Sequence, residues 1–481
     1  MSVFRMLTLL TLLLSAPFAH SAEPITSREL SPKLISQLRA AGKLNAQDRA
    51  TQNAVTNNEI KSLVLNAGIV RGLDGHFSHK IDFKGITNQK SSGRCWLFAG
   101  LNTMRPKVIR ERKLPSFTFS TAYLQFWDKM EKSNLFLERM IDLRDRDFLD
   151  REWETVHRWS LGDGGWWNYV VALIDKYGAV PADVMPETHS SENTGTMNLV
   201  LKQMLTVDAV KLHKLHAEGK SVDQLRRYKT DALARVYRFL VINLGEPPQE
   251  FEWRYEIKPE KISGDDKKID APKSKLSKRV RYTPKRFYDE FVGVRLSDYV
   301  TLYHDPVSET MKHYRFRGAR NIVGRDEMHF VNVPIETLKT VAMTSVLADE
   351  PVWFACDVGK DHSRKHGIMA MQLLDYGPLF GVDLKMTKSE RIRYRRGGSN
   401  HAMVFMGVDV RDGRPQKWLV ENSWGEKAGK NGLWTLHNDW FDQHVYTIIV
   451  NHRHVPKAVM KVYAQKSKEL PLWYPGAAGV E

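Results

Sequence analysis

The stretch ITNQKSSGRCWLFAG, residues 86–100, decides how the rest of the chain is read. Cys95 is one of only two cysteines, Trp96 follows it directly, and Gln89 precedes it by six residues. Trp96, Leu97, Phe98, Leu101 and Met104 fall near a helical spacing, which predicts a buried helix opened by the cysteine. The N–H groups and the dipole at a helix start favour negative charge, so a thiol there is placed to become a thiolate. Ser91, Ser92 and Gly93 are expected to supply the turn and cap just before it. The Gln89 amide carries N–H donors that can serve an oxyanion beside the backbone N–H of Cys95. Taken alone, a cysteine at a helix head is more often a small buried core residue. The distant half of the chain argues otherwise.

The chain has 481 residues, enough for two or three domains or one domain with large insertions. With 42% hydrophobic residues and 13 tryptophans it can bury a sizeable core. A net charge of +16 attracts polyanions and acidic ligands without naming a function. Two cysteines do not make a disulfide framework. A Cys95–Cys356 bridge is not expected, because Cys356 lies in PVWFACDVG, which reads as a buried strand. Neither a metal nor a cofactor is expected.

Residues 1–22 read as an export signal. Arg5 is a thin positive start, MLTLLTLLL is a short apolar run, and SAPFAHSA supplies small residues for cleavage near Ser21 or Ala22. The apolar run is short for a membrane span and breaks at Pro17. The mature protein is therefore expected to be periplasmic or secreted, with no membrane attachment after cleavage. Residues 23–80 form a polar, helix-compatible N-terminal arm, and 81–189 a helical lobe. In the latter, residues 117–137 carry aromatics at helical spacing. Within GDGGWWN, Gly164 and Gly165 let another backbone come close, as a bound peptide strand would, although a tight turn is an equally common use. Residues 190–330 read as a helical insertion with a lysine-rich loop at 258–286. Its run KSKLSKRVRYTPKR is most often a solvated surface and is otherwise a polyanion contact. Residues 331–463 are β-rich, with VWFACDV, AMVFMGVDV, KWLVENSW and YTIIVNH as short strand-like runs. Residues 464–481 form a C-terminal arm. The order gives an α+β architecture with a cleft expected between the helical and β-rich lobes.

His401 opens HAMVFMGV, where it can stand at a strand end facing that cleft, and Asn422 sits in ENSWG. An imidazole can take the thiol proton and deliver it to a leaving amine. The Asn422 amide oxygen can accept from the other ring nitrogen and fix the tautomer, while Trp424 covers that hydrogen bond. One of 17 histidines is by itself more often a surface or core residue. The joint pattern Q-x5-C-W…H-A…N-S-W-G is far more specific.

These motifs resemble the bleomycin hydrolase/aminopeptidase C family of papain-like cysteine peptidases. The resemblance rests on NQKSSGRCWLFA at 88–99, QNAVTNN at 52–58, the DGG of 163–165, PVWFACDVGK at 351–360, HAMVFMGVD and VENSWG. It runs from about residue 30 to 475. The separation of Cys95 from His401 is about twice the 130–150 residues of papain, so a large insertion divides the catalytic halves. The resemblance implies Gln89 as oxyanion donor, Cys95 as nucleophile, His401 as general acid and base, and Asn422 as its orienter. It further implies peptide substrates, a homohexamer with sites facing an internal channel, and a C-terminal arm that limits cleavage to free N-termini. Gly164, Gly165, Asn400 and Glu481 are the substrate-binding candidates, with Trp96 and Trp424 in support. Departures from the family pattern are Trp166 where Gln is usual, Ser399-Asn400 where Met-Thr is usual, Tyr474 where Asp is usual, and the export signal. The implied function is that of an exported cysteine aminopeptidase. The competing expectations are a cysteine endopeptidase and a basic polyanion-binding protein on the same fold.

Overall fold

The computed structural model describes residues 28–159, 161–258, 275–477 and 479. Residues 1–22, Glu481 and the middle of the lysine-rich loop, 259–274, lie outside the described residues.

The chain forms two compact units, divided after Leu63. In the first, helices Pro32–Ala41, Ala46–Asn57 and Ile60–Leu63 are set by local signals. Ser31 caps the first helix, with Pro32 just inside it, and Asn45 and Asp48 form a reciprocal capping box on the second. None of the described residues of this unit is buried.

The second unit is an α+β structure built on one large sheet. From edge to edge the strands run His362–Ser363, Ile368–Met369, Leu433–His437, Arg414–Glu421, His401–Arg411, Val352–Cys356, Val445–Asn451, Tyr299–Tyr303, His329–Asn332, Lys312–Phe316 and Lys468–Leu470. His79–Lys80 adds a short strand beside His401–Arg411. The central strands are buried along almost their whole length, which explains why their sequences are continuously apolar and do not alternate. Tyr299–Tyr303 and Lys312–Phe316 join this sheet inside the stretch expected to be helical, and His329–Asn332 begins in it. Charged and polar residues between their apolar ones hide them in the sequence.

Helices cover the sheet. Cys95–Glu111 packs on strands His401–Arg411 and Val352–Cys356. Asn102 and Arg105 on this helix both bond the buried carboxylate of Glu421, at 3.1 and 2.5 Å. That ties the helix to the strand that delivers Asn422. The long helices Thr194–Ala217 and Val222–Leu244, both within the expected insertion, pack on each other and on Thr121–Asp142. The described ends of the lysine-rich loop are not wholly irregular. Val280–Tyr282 pairs with Phe251–Trp253, and Lys275–Leu276 with Glu256–Ile257.

Candidate active site

Cys95 is the first residue of its helix and is buried. The residue before it, Arg94, is the N-cap and makes no side-chain cap bond. The expected capping by Ser91, Ser92 and Gly93 is therefore corrected: these residues are used elsewhere. The Ser92 hydroxyl donates to the Gln89 carbonyl at 2.5 Å, and the Gly93 N–H donates to the Asp163 carboxylate at 3.0 Å. Ser91 exchanges backbone hydrogen bonds with Glu192 and Thr194. The turn is held by tertiary partners and no side chain closes the first turn of the helix.

Gln89 is clamped on three sides. Its backbone N–H donates to the Ser423 carbonyl at 2.8 Å, and its side-chain oxygen accepts from the Ser423 hydroxyl at 2.6 Å. One amide N–H goes to the Ser92 carbonyl at 2.7 Å. An amide nitrogen has two hydrogens, so the second remains for an oxyanion. Sequence reading missed Ser423, although it stands next to Asn422 in the ENSWG motif.

His401 and Asn422 meet across neighbouring strands, with Nε2 and Oδ1 2.9 Å apart. The Ser423 N–H also donates to Oδ1, at 2.8 Å, which identifies that atom as the oxygen. Nε2 must then carry the proton, and Nδ1 of the neutral ring is left as an acceptor. Burial pushes His401 down to about 4, against the Asn422 hydrogen bond that favours the charged form, and the nearby His362 adds to the lowering. The Trp424 ring lies 4.8 Å from the imidazole and covers it.

The second cysteine is adjacent in the fold but chemically different. Cys356 pairs in register with His401, and its thiol donates to the His401 carbonyl at 3.8 Å. Burial pushes this thiol well above its ordinary range, with Asp357 and Cys95 adding to the effect. A neutral, buried thiol is a poor nucleophile. Cys95 and Cys356 are not joined by a disulfide.

Gly164 and Gly165 form one wall. A Cβ on Gly165 would sit 2.6 Å from the Trp96 ring, so the chain can pass there only as glycine. The Trp96 Nε1–H donates to the Asp163 carbonyl at 2.7 Å, joining this wall to the residue after Cys95. Beneath it lies a buried ionic network. Lys129 pairs with Asp163 at 2.6 Å, and Lys132 pairs with Asp128 at 2.7 Å and donates to the Gly164 carbonyl at 2.6 Å. Burial alone would raise the Asp163 carboxyl, but Lys129 with the Thr194 and Asn198 hydrogen bonds outweighs it and holds the group far below the usual carboxylate range. Burial pulls Lys132 down from its ordinary value, against the attraction of Asp128. Isolated lysines in an aromatic helix pattern gave no sign of this network.

The C-terminal tail lies against this wall. A Cβ on Gly479 would lie 2.6 Å from the Gly165 nitrogen, so the two backbones run in close contact. The Ala477 carbonyl accepts from Trp166 Nε1 at 3.4 Å, and Trp166 is fully buried. Tyr474 anchors the tail by hydrogen bonds to Asp305 and Ser308 at 2.5 and 2.9 Å. Beside the tail is a cavity of about 900 Å³ lined by Gly164, Ser399, Asn400, Asp357 and several arginines and lysines. Asn400 borders it, but its side chain is taken up by Asp357 at 2.8 Å and the Val358 N–H at 2.9 Å. No group of three or more His, Cys, Asp or Glu residues among the described residues could hold a metal ion.

A buried cysteine at a helix start, a histidine oriented by an asparagine, and a glutamine amide beside them on an α+β frame define a papain-like cysteine peptidase. The model of the Peptidase C1-like family matches residues 29–477. Aminopeptidase W of Lactobacillus delbrueckii subsp. lactis is 33% identical over 447 residues, covering 93% of this chain and 99% of that protein. Aminopeptidase C of Streptococcus thermophilus is 35% identical over 450 residues, covering 93% and 98%. The crystal structure of PepW from Lactobacillus rhamnosis HN001, a selenomethionine derivative, superposes with a TM-score of 0.87 at 36% identity, covering 94% of this chain and 100% of that one. The chain belongs to the bleomycin hydrolase/aminopeptidase C family of papain-like cysteine peptidases.

Proposed function

We propose that this protein is an exported aminopeptidase that releases N-terminal residues through a Cys95 thioester, with its C-terminal arm closing the groove behind the scissile bond. The observation that carries the exopeptidase reading is the tail backbone at Gly479 lying on Gly165, where a longer substrate strand would have to pass. The relatives named aminopeptidase C and W support the same class of activity.

The chemistry follows from the placement of protons. His401 is neutral while the thiol holds its proton, and its unprotonated Nδ1 is the base. Transfer of the thiol proton to this nitrogen creates a thiolate–imidazolium pair. The sulfur attacks the peptide carbonyl carbon, and the carbonyl oxygen takes the electron pair under the remaining Gln89 N–H and the Cys95 N–H. The imidazolium then protonates the leaving nitrogen, the C–N bond breaks, and an acyl thioester remains. Water, deprotonated by His401, attacks that thioester. The products are a free carboxylate and the restored thiol.

Export rests on the 1–22 signal pattern, and no described helix is long and apolar enough to cross a membrane. The homohexamer of the family is consistent with an exposed apolar stripe on helix Thr194–Ala217, formed by Leu199, Val200, Val207 and Val210. A polyanion contact through residues 273–286 is supported by the net charge of +16 and the exposure of Lys275 and Lys278.

Aminoacyl reporter amides with free and with blocked N-termini test the reading, on the whole protein and on a chain ending at Tyr474 or Pro475. The whole protein should cut only free N-termini, lose activity on thiol alkylation, and gain activity on blocked peptides when shortened. Equal cleavage of blocked and free substrates by the whole protein would make it an endopeptidase. N-terminal sequencing of material released from its native host should begin near Ala22 or Glu23. Sedimentation and heparin retention test the assembly and the polyanion contact.

A further inference from the structure

A cationic group stands on the leaving-group side of the site, and the mechanism above does not use it. Arg364 follows the short strand His362–Ser363, and its carbonyl accepts the Gly429 N–H at 2.8 Å, so its backbone is held at the sheet edge. Its guanidinium lies 5.4 Å from the centroid of the Trp424 ring. The same ring packs against His401 at 4.8 Å and against Trp434 at 5.3 Å. Asn88 bridges to Trp424 through the backbone, which places the oxyanion side of the site next to the same tryptophan. Arg364 is exposed and has no ion-pair partner among the described residues, while buried arginines such as Arg105 are paired.

The direction of the substrate follows from the tail. Gly479 lies on Gly165 at one end of the groove, so the residue on the acyl side of the scissile bond points that way. The leaving amine must meet His401, and Trp424, 4.8 Å from that ring, is the surface next to it for the chain beyond. A guanidinium stacked on an indole keeps its donor edge in one plane and presents two parallel N–H groups sideways. That fork matches a carboxylate bidentately, and the attraction of the guanidinium to the Trp424 ring limits where it can go.

We propose that Arg364 is a specificity-determining residue that binds a carboxylate on the first residue of the leaving peptide. The substrates it favours carry an acidic side chain there or end there with a free α-carboxylate. The inference rests on the peptidase reading above and deepens it. No carboxylate among the described residues forms an ion pair with Arg364, its chain neighbour Lys365 shares its sign, and the His362 ring lies 6.3 Å from the Trp424 ring.

The test compares kcat/KM for matched pairs in the wild type, Arg364→Met and Arg364→Lys. Met keeps an apolar stem over Trp424 and removes the charge. The side-chain pair is a free-N-terminus peptide amide with Asp or Asn as the leaving residue. The α-carboxylate pair is a dipeptide and its C-terminal amide. The wild type should prefer the carboxylate member of at least one pair, and that preference should fall roughly tenfold in Arg364→Met and less in Arg364→Lys. Which pair responds identifies the source of the carboxylate. The change should appear in KM more than in kcat, and should shrink with added salt. Equal losses on both members of each pair, or an unchanged ratio, would overturn the proposal and leave Arg364 a cover for Trp424. Affinities of the same peptides for Cys95→Ala, with and without Arg364→Met, read the preference without turnover. If the wild type instead cuts blocked peptides, the aminopeptidase reading fails, and the same ratios on blocked pairs still decide the role of Arg364.

Discussion

Two cysteines share a neighbourhood here, and their surroundings give them opposite chemistry. Cys95 opens a helix whose N-cap supplies no side chain, while Cys356 sits mid-sheet, where burial keeps its thiol protonated. Cys95→Ala should abolish hydrolysis without loss of melting temperature, and Cys356→Ala should keep most activity. A steady-state assay with a reporter amide separates them. Gln89→Ala should raise the barrier by roughly 3 kcal/mol, on the order of a hundredfold in kcat. Ser423→Ala removes the hydroxyl that holds the Gln89 side-chain oxygen at 2.6 Å, so its loss in kcat should be real but smaller. If Ser423→Ala cost as much as Gln89→Ala, the serine would be acting on substrate and not on Gln89.

At the scale of elements, the site depends on how the Cys95–Glu111 helix meets the Arg414–Glu421 strand. The bond between them is ionic: Arg105 and Glu421 are both fully buried, and burial raises the Glu421 carboxyl against the pull of Arg105. Removing one partner strands the other charge, so Arg105→Met should cost about 3–5 kcal/mol in urea unfolding. Replacing both partners with apolar residues should recover much of that loss. Its recovery would show that the pair sets register more than stability. The glycine wall is a second joint. Gly165→Ala drives a methyl group into the rigid Trp96 ring, 2.6 Å away. Activity should fall together with stability there, by about 1–3 kcal/mol in the latter.

Across the whole molecule, histidines withdrawn from water make the fold sensitive to acid, three of them most strongly. Burial pushes His304 and His401 down to about 4 and His444 to about 3, below their ordinary value of 6.5. When the pH falls below 6.5, the unfolded chain takes up protons on these residues before the folded one does. The folded state therefore loses stability between pH 6.5 and about 4, by up to about 3 kcal/mol for each histidine. Thermal melts across that range should show a falling midpoint. His444→Gln should flatten the slope while leaving the catalytic pair in place. A midpoint independent of pH would mean that these rings are solvated in the folded state.

The sequence by itself determined the chemistry of the site. Cys95, Gln89, His401 and Asn422 stand in local motifs whose neighbours are diagnostic, and the helix after Cys95 is written in its apolar spacing. The buried strands from Val352 onward were equally legible, because a strand covered on both faces is a continuous apolar run. What the motifs could not contain is whatever lies between segments distant in the chain. The tertiary structure alone placed the Ser423 hydroxyl on Gln89, Lys129 on Asp163, and Arg105 on Glu421, since a lone buried charge looks like any surface charge until its partner is known. It also moved the sheet upstream to Tyr299, and replaced the expected serine cap with bonds from the turn to Asp163 and Gln89. The reason is common to all of these. Local patterns fix which groups exist and which way each element faces, whereas partners, burial and pKa depend on contacts that only the folded chain brings together.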